Sequence, residues 1–324
     1  MEPESALGNV ALLRRITLYA RTPRRKRNLR RIPRLKYAYI EITDACSLRC
    51  SFCPSSRLAG ERHFMSEELF AQALRAARGC IQEIYLHVLG EPLLHPRFAQ
   101  FLAMAEAESL PVNITTNGTE IGRQAETLLK APSVRQINFS LHAYAELPES
   151  EARQKLAAVF DFAERALKER PELYLNFRLW DIGVQTSCPW NEFVYNAIAE
   201  RFGASIDPAR FSPRHKSEPV CGKLYVHSDS RFIWPGESAG EERGEGTCRA
   251  LDTHCGVLVD GRVVACCLDP QGVLTLGDIR ENTLCEILET PRAKAMKDGF
   301  AHGKLTEPFC RKCPYCRRFK RTGR

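Results

Sequence analysis

Residues 46–54 read CSLRCSFCP, in which Cys46, Cys50 and Cys53 are separated by three and then two residues. Three thiolates on one short loop can bind three irons of a four-iron, four-sulfur ([4Fe-4S]) cluster and leave the fourth iron open to another ligand. A structural zinc site uses four protein ligands, and the nearest further cysteine, Cys80, follows an apparent helix. The loop therefore favours an iron-sulfur cluster, with structural zinc as the competing interpretation.

The chain around this loop has the composition of a globular protein. Its 324 residues are 44% hydrophobic, which suits one large domain and a smaller one. It contains no apolar run of about 18 residues that would span a membrane. Fourteen cysteines without a secretory signal indicate a reduced, cytoplasmic setting rather than a disulfide framework.

The net charge of +8 is unevenly distributed. Residues 1–36 contain eleven Lys and Arg against two Glu, and seven more basic residues follow Glu307, so an acidic body lies between two basic ends. Three interpretations of these ends are open: a solvated arm, an RNA-binding surface, and a surface that docks on an anionic membrane or a partner protein.

From residue 37 onward, short β-rich runs alternate with helical patterns, as expected of βα units and a parallel sheet. The predicted strands are 37–43, 83–88, 112–116, 136–141 and 173–180, with a sixth at 223–227 or 231–234. The predicted helices are 66–79, 95–109, 122–130, 150–170 and 191–202. This pattern predicts an α/β fold, a partial (β/α)6 barrel of the TIM type, with its ligands at the carboxyl ends of the strands.

We expect three segments: a basic extension at 1–36, the barrel at 37–235, and a C-terminal unit at 236–324 with a basic tail. Residues 235–247 are rich in Gly and Glu and are the predicted linker. In the C-terminal unit, Asp260 and Gly261 predict a hairpin turn. A helix near 284–288 and another with Thr290 as cap and Pro291 at its first position should follow.

A second group of cysteines lies in this C-terminal unit. Cys248 and Cys266 bracket the hairpin, and a Cys-x2-Cys-x2-Cys run follows at Cys310, Cys313 and Cys316. Hairpin and tail are therefore expected to converge on one metal site. The spacing alone does not separate four-cysteine zinc from iron.

These features together resemble the radical S-adenosylmethionine (SAM) superfamily. The loop at 46–54, with Phe52 just before its last cysteine, is similar to that family's signature. The segments GVLVDGRVVACCLD and LTLGDI resemble its SPASM and twitch domains, which hold auxiliary iron-sulfur clusters. The resemblance implies that SAM chelates the open iron and is split by one electron into methionine and a 5′-deoxyadenosyl radical, which takes hydrogen from a substrate.

The resemblance also implies cofactor contacts at the ends of the strands. Gly90, Glu91 and Pro92, after the second strand, would bind the SAM amino group through a backbone carbonyl and the carboxylate. Many members carry a second glycine at the position of Leu89. Phe52 belongs to the same cofactor site.

Three later strand ends complete the implied cofactor site. Asn117 in the segment TTNG faces SAM, and Ser140 meets its ribose or carboxylate. Arg178 would pair with the SAM carboxylate as a planar fork. His142 is a candidate donor to SAM or substrate, although a packed histidine is the simpler interpretation.

For the C-terminal unit the resemblance implies one auxiliary [4Fe-4S] cluster. Its predicted ligands are Cys248, Cys266, Cys310 and Cys313. One of three neighbours can replace a predicted ligand, namely Cys255, Cys267 or Cys316. The scattered cysteines are expected to be small buried thiols: Cys80, Cys188, Cys221 and Cys285.

The function that follows from the resemblance is a radical SAM oxidoreductase of a dehydrogenase-like kind, in which the auxiliary cluster assists oxidation. Its partners would be an electron donor such as flavodoxin or ferredoxin and an organic substrate: a small carbohydrate, aminoglycoside or nucleoside, a peptide, or RNA. Epimerisation would need a hydrogen donor, for which Cys221 and Cys255 are the candidates. The alternatives are a zinc protein that binds nucleic acid without catalysis, and a plain electron carrier.

Overall fold

A ten-stranded sheet organises the part of the chain that the structure describes, with strands in the order β10-β9-β8-β1-β2-β3-β4-β5-β7-β6. The structure is a computed structural model, and it describes residues 35–57, 60–183, 188–231, 233–235 and 242–319. The strands are β1 (Tyr37–Ile40), β2 (Glu83–Tyr85), β3 (Val112–Thr116), β4 (Val134–Phe139), β5 (Tyr174–Trp180), β6 (Ser217–Cys221), β7 (Leu224–Asp229), β8 (His254–Val257), β9 (Arg262–Val264) and β10 (Thr275–Asp278).

Six of these strands form the predicted partial barrel. Strands β1, β2, β3, β4, β5 and β7 pair in parallel, in that order. The helices that follow the first five are α1 (Glu67–Ala77), α2 (Phe98–Ala107), α3 (Ile121–Lys130), α4 (Glu149–Glu169) and α5 (Pro189–Phe202). The predicted α/β fold class is therefore confirmed.

Alternating side chains give each barrel strand two different faces. In β4, Ile137 and Phe139 are fully buried, and Phe139 packs edge-on against Phe162 of α4. Their neighbours Gln136 and Asn138 point to the opposite face, where polar side chains of adjacent strands meet. The barrel thus has an apolar outer layer under its helices and a polar interior.

The sixth barrel strand resolves an ambiguity in the sequence. Of the two predicted positions, 223–227 is the correct one, because β7 covers Leu224–Asp229 and pairs in parallel with β5. The edge strand β6 was not predicted from the sequence. It pairs antiparallel with β7 and closes this end of the sheet.

The C-terminal strands extend the same sheet on its other side. Strand β8 pairs in parallel with β1, and β9 and β10 follow antiparallel. The predicted hairpin turn is confirmed, with Gly261 in the left-handed region at φ 92°. The predicted helices are also present as α6 (Leu284–Leu288) and α7 (Pro291–Ala301), before the short α8 (Pro308–Arg311). Thr290 caps α7 by accepting the Ala293 N–H.

Two long-range ties hold the hairpin and its helices on the barrel. The buried Glu41 carboxylate accepts the N–H groups of Leu89, at 2.9 Å, and Val259, at 3.2 Å. Cys80 and Cys285 form a disulfide across 205 residues. The expectation that these two cysteines are free thiols was wrong, because the fold brings the end of α1 against α6.

The predicted basic extension, apart from its last two residues, and the end of the basic tail fall outside the described residues. Residues 1–34, residues 236–241 of the predicted linker and the tail after residue 319 are outside the described part of the chain. Among the helices that the structure describes, none is long and apolar enough to cross a membrane.

Candidate iron-sulfur and cofactor site

The loop with the first three cysteines follows β1 at the carboxyl edge of the barrel. Cys46, Cys50 and Cys53 are each partly exposed, and Cys53 donates its backbone N–H to the Cys50 carbonyl at 3.1 Å. Glu146 fastens the loop to the turn after β4, because its two carboxylate oxygens accept the N–H and hydroxyl of Ser51 at 2.7 and 2.6 Å. The thiols thus stand on a loop held by the barrel.

These thiols raise one another's pKa. Burial, followed by the charges of Cys46 and Cys53, raises the pKa of Cys50 to about 12. Burial raises the pKa of Cys46 to about 11. Because a coordinated metal removes a thiol proton outright, a cationic cluster would reverse this effect. The donor set of three soft, closely placed sulfurs fits three corners of an iron-sulfur cluster.

Gly90 lets the segment after β2 approach the cysteine loop closely. It has φ 73°, and a Cβ there would lie 2.1 Å from the Thr43 carbonyl oxygen. The following N–H, of Glu91, donates to the Ala45 carbonyl at 2.7 Å. Any larger residue at position 90 would push the turn away from Cys46. The close approach is therefore present although Leu89 stands where the family often has glycine.

The Glu91 carboxylate is buried and already holds protein groups. It accepts the Thr116 hydroxyl at 2.6 Å, the Asn117 N–H at 2.6 Å and the Leu93 N–H at 3.1 Å. Burial raises its pKa to about 7, although these hydrogen bonds favour the charged form. The structure gives Glu91 a positioning role between two strand ends, and its contact with SAM stays a prediction.

Asn117 lies directly beside the loop. Its side-chain amide donates to the Cys46 sulfur at 3.6 Å and to the Ser47 hydroxyl at 3.1 Å, and its oxygen accepts two bonds from Thr119. Tyr144 donates its hydroxyl to the Asn117 carbonyl. Sequence reasoning singled out Asn117 and missed Tyr144, whose position 27 residues later gives no local signal.

Aromatic rings form one wall of the cofactor side of the barrel. The rings of His142 and Trp180 stack with centroids 3.9 Å apart, and Phe52 meets Trp180 edge-on at 4.6 Å. Ser140, Arg178 and these rings line a cavity of about 180 Å³. Burial and the charge of Arg178 lower the pKa of His142 to about 3, so this ring is neutral at pH 7.

Arg178 lies where three cavities meet. It lines the 180 Å³ cavity beside Phe52, a polar cavity of about 370 Å³ inside the barrel, and a cavity of about 440 Å³ that reaches the C-terminal cysteines. The structure records no hydrogen bond or ion pair to its guanidinium from the described residues. A planar cation in this position suits a ligand carboxylate.

The second cysteine group surrounds the 440 Å³ cavity. All four predicted auxiliary ligands line it, as do two of their neighbours: Cys248, Cys266, Cys310, Cys313, Cys267 and Cys316. Among the described residues, no three His, Cys, Asp or Glu side chains form a site for a single metal ion. The hairpin and the tail thus converge on one cavity, as the spacing predicted.

Local contacts hold these cysteines in place. The Ala250 N–H donates to the Cys248 sulfur at 3.4 Å, and the Cys316 thiol donates to the Cys313 carbonyl at 3.0 Å. Arg318 anchors the tail to the end of β7 through Asp229, at 3.2 Å, and Ser230. Burial raises the pKa of Cys313 to about 11. A set of partly buried thiols around a cavity fits a cluster with thiolate ligands.

The adjacent Cys266 and Cys267 differ in their surroundings. Cys266 packs on the main core with Cys248 and Cys310, whereas Cys267 packs with Tyr39 on the small cluster that includes Val88. Cys255 is fully buried in β8 and lines none of the three cavities. Cys221, on the edge strand, lines none of them either.

The fold and the two cysteine sites define an iron-sulfur protein on an open α/β barrel. Comparison with known families agrees: the radical SAM superfamily matches residues 40–176, and the SPASM iron-sulfur cluster-binding domain matches residues 248–314. The chain therefore belongs to the radical SAM superfamily and carries a SPASM domain. The cofactors of this combination are SAM and two iron-sulfur clusters.

Two curated relatives illustrate the similarity. The cofactor-modifying protein of the tungsten-containing aldehyde ferredoxin oxidoreductase from Pyrococcus furiosus is 32% identical over 33% of this chain and 31% of its own length. The mycofactocin maturase MftC of Mycobacterium tuberculosis is 28% identical over 72% of this chain and 61% of its own. The chain spans about a third of the length of the first relatives that it matches.

Solved structures share the fold. BtrN in complex with AdoMet and 2-DOIA has a TM-score of 0.53 at 14% identity, covering 86% of this chain and 93% of BtrN. SuiB from Streptococcus suis, bound to the precursor peptide SuiA, has a TM-score of 0.56 at 14% identity, covering 82% of this chain and 67% of SuiB.

Proposed function

We propose that this protein is an enzyme that cleaves SAM reductively at the loop cluster and takes a hydrogen atom from an organic substrate, with the auxiliary cluster assisting an oxidation. The observation that carries the proposal is the connection between the two cysteine sites. Arg178 borders both the cavity beside the loop residue Phe52 and the cavity that the auxiliary cysteines surround. A substrate between them would meet both cofactors.

The residues at the strand ends have distinct proposed tasks. Cys46, Cys50 and Cys53 hold the loop cluster, and Asn117 fixes the loop by its bond to the Cys46 sulfur. Gly90 allows the backbone to close against the loop, so that carbonyl groups near Glu91 and Pro92 face the SAM ammonium.

A second set of residues is proposed to contact the adenine, ribose and carboxylate of bound SAM. The proposed contacts are the rings of Phe52 and Trp180 with the adenine, Ser140 with the ribose, and Arg178 with the carboxylate. BtrN, which shares this fold, is in complex with AdoMet, and this supports the same cofactor for this chain.

A cluster held by Cys46, Cys50 and Cys53 would supply the electron that splits SAM, and the protein would position the fragments and exclude water. An electron donor such as flavodoxin or ferredoxin and a cytoplasmic setting belong to the same proposal. At the second site, Cys248, Cys266, Cys310 and Cys313 are the proposed auxiliary ligands. A dehydrogenase-like outcome follows if the substrate electron leaves through that cluster.

The test is anaerobic reconstitution of the full chain with iron and sulfide, followed by incubation with SAM and dithionite. We expect a brown protein that forms 5′-deoxyadenosine, detected by mass spectrometry. The matched control replaces the three loop cysteines with serine. A colourless protein that binds zinc and forms no 5′-deoxyadenosine would overturn the proposal in favour of a non-enzymatic zinc protein.

A further inference from the structure

A cavity of about 370 Å³ lies inside the barrel, below the strand ends that face the cofactor. Its volume is at the small end of the range of ~300–1,000 Å³ that is typical of ligand sites. Its lining includes His87, just after β2, Asn176 of β5 and His227 of β7, and Arg178 borders its upper end. This cavity is the space beside the cofactor that the proposed function leaves for a substrate.

Side-chain amides form a fixed row along one wall of the cavity. Asn138 accepts the Gln136 amide at 2.8 Å and the Asn176 amide at 3.1 Å, and it donates to the Ile114 carbonyl at 3.1 Å. No described residue donates to the Asn176 side-chain oxygen. Asn138 therefore fixes the positions of Gln136 and Asn176. The amide oxygens of these two side chains, and their N–H groups that do not bond to Asn138, are left for a ligand.

His87 has a buried nitrogen with no protein partner. Its Nδ1 is one of three buried side-chain polar atoms in the described chain that lack a hydrogen bond. The ring is fixed edge-on against Tyr39, with centroids 5.3 Å apart. An unsatisfied buried polar atom is costly, and His87 lines both this cavity and the 440 Å³ cavity, so its ring lies where the two cavities meet.

The lining is almost without charge. Among the described residues that line this cavity, none is Asp or Glu, and Arg178 is the cation. Burial and Arg178 lower the pKa of His87 to about 3 and that of His227 to about 4, so both rings are neutral at pH 7. His227 is also held by the Ser217 hydroxyl at 2.8 Å. A ligand ammonium here would find no counterion and would face Arg178.

We propose that this cavity binds the substrate, and that the substrate is a small uncharged molecule rich in hydroxyl groups, on the scale of a sugar, cyclitol or nucleoside. The inference rests on the proposed function, because it places the substrate beside the bound SAM. The remaining amide groups of Gln136 and Asn176 and the hydroxyl groups of the lining bind its hydroxyls. Arg178 is left for the cofactor carboxylate.

The experiment compares probes that differ in charge on one scaffold. Binding of glucose, glucosamine and glucose 6-phosphate, and of uridine and uridine monophosphate, is measured by NMR with the reconstituted holoenzyme and SAM, without reductant. We expect at least one neutral probe to bind, and its charged counterparts to bind at least about fivefold more weakly, the change that one neutral hydrogen bond supports.

Two variants test the site itself. Asn176→Ala should weaken the neutral probe about fivefold, whereas Asn282→Ala, at an exposed position, should not. Asn176→Asp keeps the shape of the side chain and adds a carboxylate, so it should shift the preference from glucose toward glucosamine. This second variant keeps the test meaningful where the first fails to fold.

Several outcomes would overturn the inference: no neutral probe binds, a charged counterpart binds more tightly, a neutral peptide displaces the probes and binds more tightly, or Asn176→Asp leaves the preference unchanged. Formation of 5′-deoxyadenosine by the wild-type preparation is measured in parallel. If it forms, only the substrate inference has failed; if it does not, the proposed function has failed.

Discussion

The two cysteine sites differ in how the chain builds them. The loop site takes all three thiols from residues 46–54, whereas the auxiliary site collects thiols from the segment before β8, the residues just after β9, and α8 with the tail beyond it. The first is a local motif that the barrel holds in place. The second exists only when the tertiary structure is complete, so it should be the more sensitive to distant changes.

The largest effect should come from the loop. Replacing Cys46, Cys50 and Cys53 together with serine should lower the iron content from about eight to about four per chain, because only the auxiliary cluster remains. Formation of 5′-deoxyadenosine should fall below detection. Iron and sulfide analysis with electron paramagnetic resonance checks this result, and loss of all iron would show that the two sites are not independent.

A matched pair of neighbours tests the auxiliary site. Cys266→Ala should remove about four irons per chain, whereas Cys267→Ala should keep them, because Cys267 packs on the barrel side with Tyr39 and Val88. Iron analysis of both variants after identical reconstitution gives the answer. Iron loss in the Cys267 variant instead would make that residue a ligand.

Removal of the Cys80–Cys285 disulfide tests how far the stability of the protein depends on a covalent bond between the barrel and the auxiliary region. Replacing Cys80 and Cys285 with serine should lower the free energy of unfolding by about 2–4 kcal/mol, as is usual for a long closed loop. Urea unfolding of the double variant measures the change. Peptide mapping without reductant is the control, and alkylation of both residues in the unreduced wild type would contradict the pairing.

The smallest effect concerns the carboxylate between barrel and hairpin. Burial raises the pKa of Glu41 to about 7, above its ordinary value of 4.5, so the folded state binds this proton more tightly than the unfolded state. Its contribution to stability is therefore complete below about pH 4.5 and is lost as the pH rises through about 7, by on the order of 1–3 kcal/mol.

Urea unfolding at a series of pH values between 5 and 8 measures this slope for the wild type and for Glu41→Gln. The variant should show a flatter profile, because its amide does not titrate. It should also be less stable at low pH, since one amide oxygen replaces two acceptors for the Leu89 and Val259 N–H groups. An unchanged slope would mean that other groups set the pH dependence.

The sequence predicted what depends on local pattern. The alternation of strands and helices was enough for the fold class and the order of the six barrel strands, and the cluster at Cys46, Cys50 and Cys53 stays a prediction from their spacing. The helix that begins at Pro291 was placed correctly because its cap and its first residue are both readable in the chain.

The sequence did not predict features that depend on distant partners. Glu41 meets Val259 across 218 residues, and Cys80 meets Cys285 across 205, so neither pair leaves a local signal. The difference between Cys266 and Cys267 depends on which side of the hairpin faces the barrel. His87 reads as an ordinary strand residue, and only the surrounding structure shows its unpartnered nitrogen.

The pairing of β1 with β8 has a consequence for how the chain folds during synthesis. β1 emerges early, but its outer neighbour follows roughly two hundred residues later, on the order of ten seconds or more at usual translation rates. Until then the strand that leads into the cluster loop presents an unpaired edge, the kind of edge that recruits other chains. Nascent chains that stop before residue 254 are thus the species most exposed to aggregation, and the first strand made is among the last to be completed.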